Sequence, residues 1–68
     1  MTPTSRQIGV KLTKLRKTRK LSRRALAEAA GCSREYIRQL EAGTSDPTVG
    51  MLQRIAKALG VPVAELLE

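Results

Sequence analysis

Residues 22–43 read SRRALAEAAGCSREYIRQLEAG, and this stretch decides the fold. Ser22 and Ser33 each have a side-chain oxygen suited to capping a helix start, and each is followed within eleven residues by a glycine. The pattern predicts a helix over Arg23–Ala30 with Gly31 as a left-handed stop. A second runs from Arg34 to about Ala42, ended by Gly43. Between them stand only Gly31, Cys32 and Ser33, a turn too short for a slack side-by-side hairpin. Leu26, Ala30, Ile37 and Leu40 supply the apolar contacts of the pair, and Ala27 is small where the later helix must cross. Two helices locked at a steep angle follow from that spacing.

Outward from this pair the chain is helical on both sides. Upstream, Ile8, Leu12 and Leu15 recur at helical spacing between about Arg6 and Arg19, on a helix whose other faces are mostly basic. Val10 falls off that stripe and Gly9 weakens the first turn. Met1–Ser5, with Pro3 and small polar residues, reads as a flexible arm (1–5) ahead of one domain (6–68). Downstream, Thr44-Ser45-Asp46-Pro47 is a loop. Thr48 then caps a helix with the stripe Leu52, Ile55, Ala56 and Leu59, closed by Gly60. Val61-Pro62 opens a short last helix ending at Leu66 and Leu67. No strand pattern is present, so the fold class is all-α, a compact five-helix bundle.

The 68 residues have room for one core, built of aliphatic side chains because Tyr36 is the single aromatic. Cys32 is the only cysteine and histidine is absent, so neither a disulfide nor a zinc finger is expected. No apolar run suggests a signal peptide or a membrane span, and a cytoplasmic protein without metal or other cofactor is expected. No nucleophile has a histidine base and no glycine-rich phosphate loop follows a strand, so an enzyme is not expected. The charge is formally +7 and strongly one-sided. Residues 1–24 hold nine Lys and Arg and no acid, a field that attracts polyanions, nucleic acid foremost. An amphipathic membrane-binding N-terminal helix is disfavoured by the absence of Trp and Phe.

The chain resembles the phage-repressor-like, xenobiotic-response-element type of helix-turn-helix family. The likeness runs from Ile8-Gly9 and Leu15-Arg16 through Leu26-Ala27, Gly31-Cys32-Ser33-Arg34, Tyr36-Ile37 and Leu40-Glu41-Ala42-Gly43. It continues through Pro47, Leu52, Ile55-Ala56 and Ala58-Leu59-Gly60-Val61 to Leu66-Leu67. The size and the Ser-Arg-Glu-Tyr-Ile opening at 33–37 are also similar to restriction–modification controller proteins, a branch of that family. The resemblance implies a transcriptional regulator, commonly a repressor, that binds a palindromic double-stranded operator as a homodimer; no small-molecule ligand is evident from the sequence. It assigns base contact to Arg34, Glu35, Arg38 and Gln39. Contact with the DNA backbone falls to Ser22, Arg23, Arg24, Ser33 and Tyr36, with Thr44 and Ser45 in the loop. It pairs Arg16 with Glu41 structurally. The sequence departs from the family pattern at Arg23 (commonly Gln), Ala25 (often Glu) and Ala42 (usually basic), which bears on phosphate contacts rather than fold.

The residue chemistry agrees with the assignment. Positions 34, 35, 38 and 39 share the helix face opposite Ile37 and Leu40, and the fork of arginine matches O6 and N7 of guanine. Glu35 suits the cytosine amino group, although it and Gln39 also fit an ordinary solvated face. Arg23 and Arg24 oppose the dipole of the helix they open unless a phosphate sits there. Tyr36 has two readings, a core aromatic or a hydroxyl on the sugar–phosphate backbone. Cys32 reads as a buried core thiol, with a redox sensor as the alternative. Val63, Leu66 and Leu67 either form a dimer interface or close the core. A protein-interaction module, as in an antitoxin or a coactivator adaptor, is the competing use of the same fold.

Overall fold

The computed structural model describes residues 3–68, and Met1 and Thr2 lie outside it. Four helix starts share one device. Thr4, Ser22, Ser33 and Thr48 stand in extended backbone, and each hydroxyl oxygen accepts from the amide three residues on, at 3.0–3.1 Å. The helices they open are α1 (Ser5–Thr18), α2 (Arg23–Ala30), α3 (Arg34–Ala42) and α4 (Val49–Leu59), with a short α5 (Ala64–Leu67) last. No strand occurs among the described residues.

Of the arm read over residues 1–5, Met1 and Thr2 lie outside the described residues, and Thr4 and Ser5 belong to the start of α1. Thr4 and Gln7 form a reciprocal capping box, the Thr4 amide donating to Gln7 Oε1 at 2.8 Å, and Ser5 is already helical. The hydroxyl of Ser5 also donates to the carboxylate of Asp46, tying this start to the loop before α4.

Gly31 ends α2 at φ 74°, a left-handed conformation that any Cβ disfavours, as Gly43 and Gly60 do for α3 and α4. Only the turn from α1 to α2 manages without glycine, placing Lys20 at φ 57°. After Gly31 the chain re-enters a helix at Arg34, and α2 packs against both α3 and α4.

The core takes Ile8 and Leu12 from α1, Leu26, Ala27 and Ala30 from α2, and Ile37 and Leu40 from α3. α4 adds Leu52, Ile55, Ala56 and Leu59, and α5 adds Leu66, which is 1% exposed and closes the core. Val63 is half-buried against it, while Leu67 stays on the surface. Of the three residues read as interface or closure, Leu66 is therefore closure. Leu15 is only half-buried, and Val10 is exposed as its off-stripe position implies.

Gly9 has a stronger reason than its helix propensity suggests. A Cβ there would collide with the backbone carbonyl oxygens of Leu40 and Glu41. The start of α1 thus lies directly on the end of α3. Arg16, two turns further along the same face of α1, is carried to the side chain of Glu41.

Candidate functional site

The geometry of the site begins with Glu41 near the end of α3. Its side chain is 3% exposed and carries a charge, so partners are required. Arg16 donates from Nε to Oε2 at 2.5 Å and from Nη2 to Oε1 at 3.1 Å, and its Nη1 donates to the Leu21 carbonyl at 2.8 Å. Arg23, at the first position of α2, donates from Nε to Oε1 at 2.9 Å. Burial pushes the Glu41 carboxyl up, but the two guanidiniums together outweigh it and hold the group below the usual carboxylate range. Arg16 is itself buried and committed to these bonds. Arg23 is not: its side chain is 46% exposed and its two Nη nitrogens lie outside the Glu41 bond.

Arg16 and Arg23 line one end of a groove between the opening of α2 and the exposed face of α3. Ser22 and Arg24 complete the α2 wall, and Arg34, Glu35 and Arg38 form the α3 wall. Five arginines thus line the groove with one carboxylate, Glu35. The α2 wall adds backbone dipoles, because the first-turn amides of Arg23 and Arg24 have no acceptor within the helix and no acid occupies that turn. Arg24 reaches Glu28 at 3.5 Å, an exposed pair one turn along. Such a surface suits a chain of phosphates approaching along α2 and planar hydrogen-bonding groups lying against α3.

On α3, Arg38 and Glu35 face each other fork to fork. Nε donates to Oε1 at 2.8 Å and Nη2 to Oε2 at 2.6 Å. The hydrogen bond from Arg38 holds the Glu35 carboxyl below its ordinary value, and Glu35 raises Arg38 in return. Arg34 has no carboxylate within ion-pair reach among the described residues.

The structure brings together Arg16, Ser22, Arg23, Arg24, Arg34, Glu35 and Arg38 of the residues singled out from the sequence. The others sit beside the groove rather than in it. Ser33 caps α3 through its hydroxyl oxygen. Gln39 is half-buried. Thr44 donates to the Gln39 carbonyl at 3.2 Å, finishing α3, while Ser45 is half-buried in the following loop. Tyr36 packs half-buried against the core, and burial raises its phenol above the ordinary value.

Cys32 is half-buried rather than enclosed. Desolvation raises the thiol above its ordinary value, an effect only partly countered by Arg54.

Sequence reasoning missed two arginine contacts. One is the bond of Arg23 to Glu41. The other is Arg54 of α4, which donates from Nη2 to the Gly31 carbonyl at 3.0 Å and sets a cation at the C-terminal end of α2. Neither had a local signal, because their partners lie 18 and 23 residues away in the chain. Among the described residues no group of three or more acidic, Cys or His side chains is placed to hold a metal ion. Among the described residues no helix is long and apolar enough to cross a membrane.

Residues 12–66 match the model of a protein family described as Helix-turn-helix. The chain is 35% identical over 60 residues to the immunity repressor protein of Bacillus phage phi105, a match covering 88% of this chain and 42% of the repressor. It is also 35% identical over 60 residues to the uncharacterized HTH-type transcriptional regulator y4dJ of Sinorhizobium fredii, covering 88% of this chain and 78% of that protein. Among solved structures, the restriction–modification controller protein C.AhdI from Aeromonas hydrophila superposes with a TM-score of 0.89 at 29% identity. That alignment covers 91% of this chain and 94% of the controller. The chain therefore spans less than half of the phage repressor and nearly all of the controller protein.

Proposed function

The chain belongs to the helix-turn-helix family, and from that premise we propose that it is a non-enzymatic, sequence-specific DNA-binding regulator of transcription. The observation that carries this reading is the groove in which five arginines and the opening of α2 converge on the exposed face of α3. Arg34, Glu35, Arg38 and Gln39 form the base-reading side of α3 in the major groove. Ser22, Arg23, Arg24, Ser33, Tyr36, Thr44 and Ser45 hold the sugar–phosphate backbone on either side. The capping serines remain able to donate to phosphate, since capping uses only their lone pairs. Arg16 belongs to the support of the groove rather than its contacts, because its guanidinium is engaged with Glu41 and Leu21.

One recognition helix reads too few base pairs for a useful specificity ratio, so the working form is a homodimer on a palindromic operator. Leu67 and Val10, both exposed, leave apolar surface at the α1–α5 side for such an association. Its place of action is the cytoplasm, beside the DNA it controls.

Selection of bound sequences from a random duplex pool, followed by footprinting of the best, tests the reading. A two-fold symmetric site is expected, its half-sites about 10 bp apart on one face of the duplex. An asymmetric single half-site at saturating protein would remove the dimeric part of the proposal. No selectable sequence, together with saturable binding only to a protein partner, would replace it with an antitoxin-like or coactivator-like interaction module.

A further inference from the structure

The fork-to-fork pair on α3 separates two residues that residue type alone would assign the same task. Glu35 and Arg38 stand one turn apart, and their side chains are 60% and 54% exposed, so the pair belongs to the groove and not to the core. Two N–H groups of Arg38, on Nε and Nη2, are directed at the two carboxylate oxygens. A guanidinium has five N–H donors in a fixed plane, so three remain. They are the pair on Nη1 and the second one on Nη2; the latter and one of the Nη1 pair point the same way and form the end-on edge of the fork. That edge presents two donors side by side, the pattern that O6 and N7 of guanine accept.

We propose that Glu35 is a positioning residue for Arg38 rather than a reader of its own base: it grips the Nε–Nη2 edge and so presents the end-on edge to a guanine. The proposal rests on the assignment of α3 to base readout and refines it. An arginine without such a grip loses several free torsions when it docks, and a pre-set one loses fewer. The grip also explains an acidic side chain in a groove built for phosphates. Unpaired, Glu35 would repel both strands; paired, its charge is balanced by Arg38. Arg34 has no such partner among the described residues and reads without a buttress.

The test uses the full chain, the selected operator and its single-base variants, with wild type, Arg38→Ala, Glu35→Ala, Glu35→Gln and the double variant Glu35→Ala/Arg38→Ala. Helix content by circular dichroism confirms that each is folded. Arg38→Ala is expected to flatten preference at one guanine per half-site by about tenfold to a hundredfold. Glu35→Ala should flatten the same position by about threefold to tenfold and add nothing once Arg38 is gone. Glu35→Gln, which keeps one acceptor oxygen, should fall between. Affinity for unrelated duplexes should rise in Glu35→Ala as a negative charge leaves the groove, a change that mere loss of structure cannot produce. Loss of preference at a different base pair would show that Glu35 reads its own base and overturn the proposal. An equal loss at every position, or a full effect in the Arg38→Ala background, would overturn it too. If Arg38→Ala alters no position while wild type still discriminates, the role given to Arg38 falls along with it. If wild type shows no base preference, the broader reading of function has failed instead.

Discussion

Glu41 holds two arginines with one carboxylate, and each bond has a measurable consequence. Removing either Arg16 or Glu41 leaves a charge buried without its partner, so Arg16→Ala and Glu41→Ala should each destabilise by about 1–3 kcal/mol. The double variant should lose less than the sum in urea denaturation, and strict additivity would refute the coupling. The carboxyl is held below its unfolded value, so its contribution is complete above the ordinary carboxylate range and is lost as pH falls through the folded value. From about pH 5 downward, wild type should therefore lose stability more steeply than Glu41→Gln. Parallel curves would show that the pairing adds nothing. At the groove, Arg34→Ala should cost about 1–3 kcal/mol on the preferred operator and flatten one base pair per half-site, with non-specific binding little changed. An equal loss on every sequence would reassign Arg34 to phosphate. Arg23 is bonded to Glu41 and is proposed to meet a phosphate, so Arg23→Ala should weaken all duplexes alike and also lower stability, the second effect arising from its bond to Glu41.

Among the helices, two glycines that look alike in sequence should respond oppositely to the same substitution. Gly9 of α1 faces carbonyl oxygens of α3, and backbone cannot move aside cheaply. Gly50 of α4 has only the Thr48 hydroxyl oxygen at 4.0 Å. Gly9→Ala should destabilise by about 1–3 kcal/mol through overpacking. Gly50→Ala should stabilise by about 0.5–1 kcal/mol by restricting the unfolded chain. Thermal denaturation of the two variants decides, and a Gly9→Ala protein as stable as wild type would refute the close approach. This contrast also marks how far the sequence could be read. The ends of α2, α3 and α4 were legible because a Ser or Thr and a Gly bracket each one within its own few residues. The start of α1 was equally legible in Thr4 and Gln7, yet the proline and small residues before it suggested an arm. The buttress under the groove was not legible in full. Gly9 against α3, Arg23 on Glu41 and Arg54 on Gly31 join segments distant in the chain, and propensity, capping and periodicity are local rules. The resemblance supplied Arg16 with Glu41; nothing supplied the second arginine.

Across the whole molecule, the nine basic residues of positions 1–24 do not act as one surface. Arg16 is committed to Glu41, and Lys11 and Lys14 line a separate surface with Leu15 and Glu65 beside α5. If about four phosphates are neutralised per protomer, the proposed dimer should show a log–log salt slope near −7. A slope near −2 on a selected operator would refute the electrostatic footprint. The distribution of ring side chains is simpler than that of charge. With no tryptophan or phenylalanine in the chain, Tyr36 is its sole aromatic fluorophore. It sits on α3 with the core on one side and the groove-bearing helix as its support. Its emission therefore reports on one site alone: loss of core packing in denaturant and docking of α3 both pass through the same ring, and no attached dye is needed to follow either.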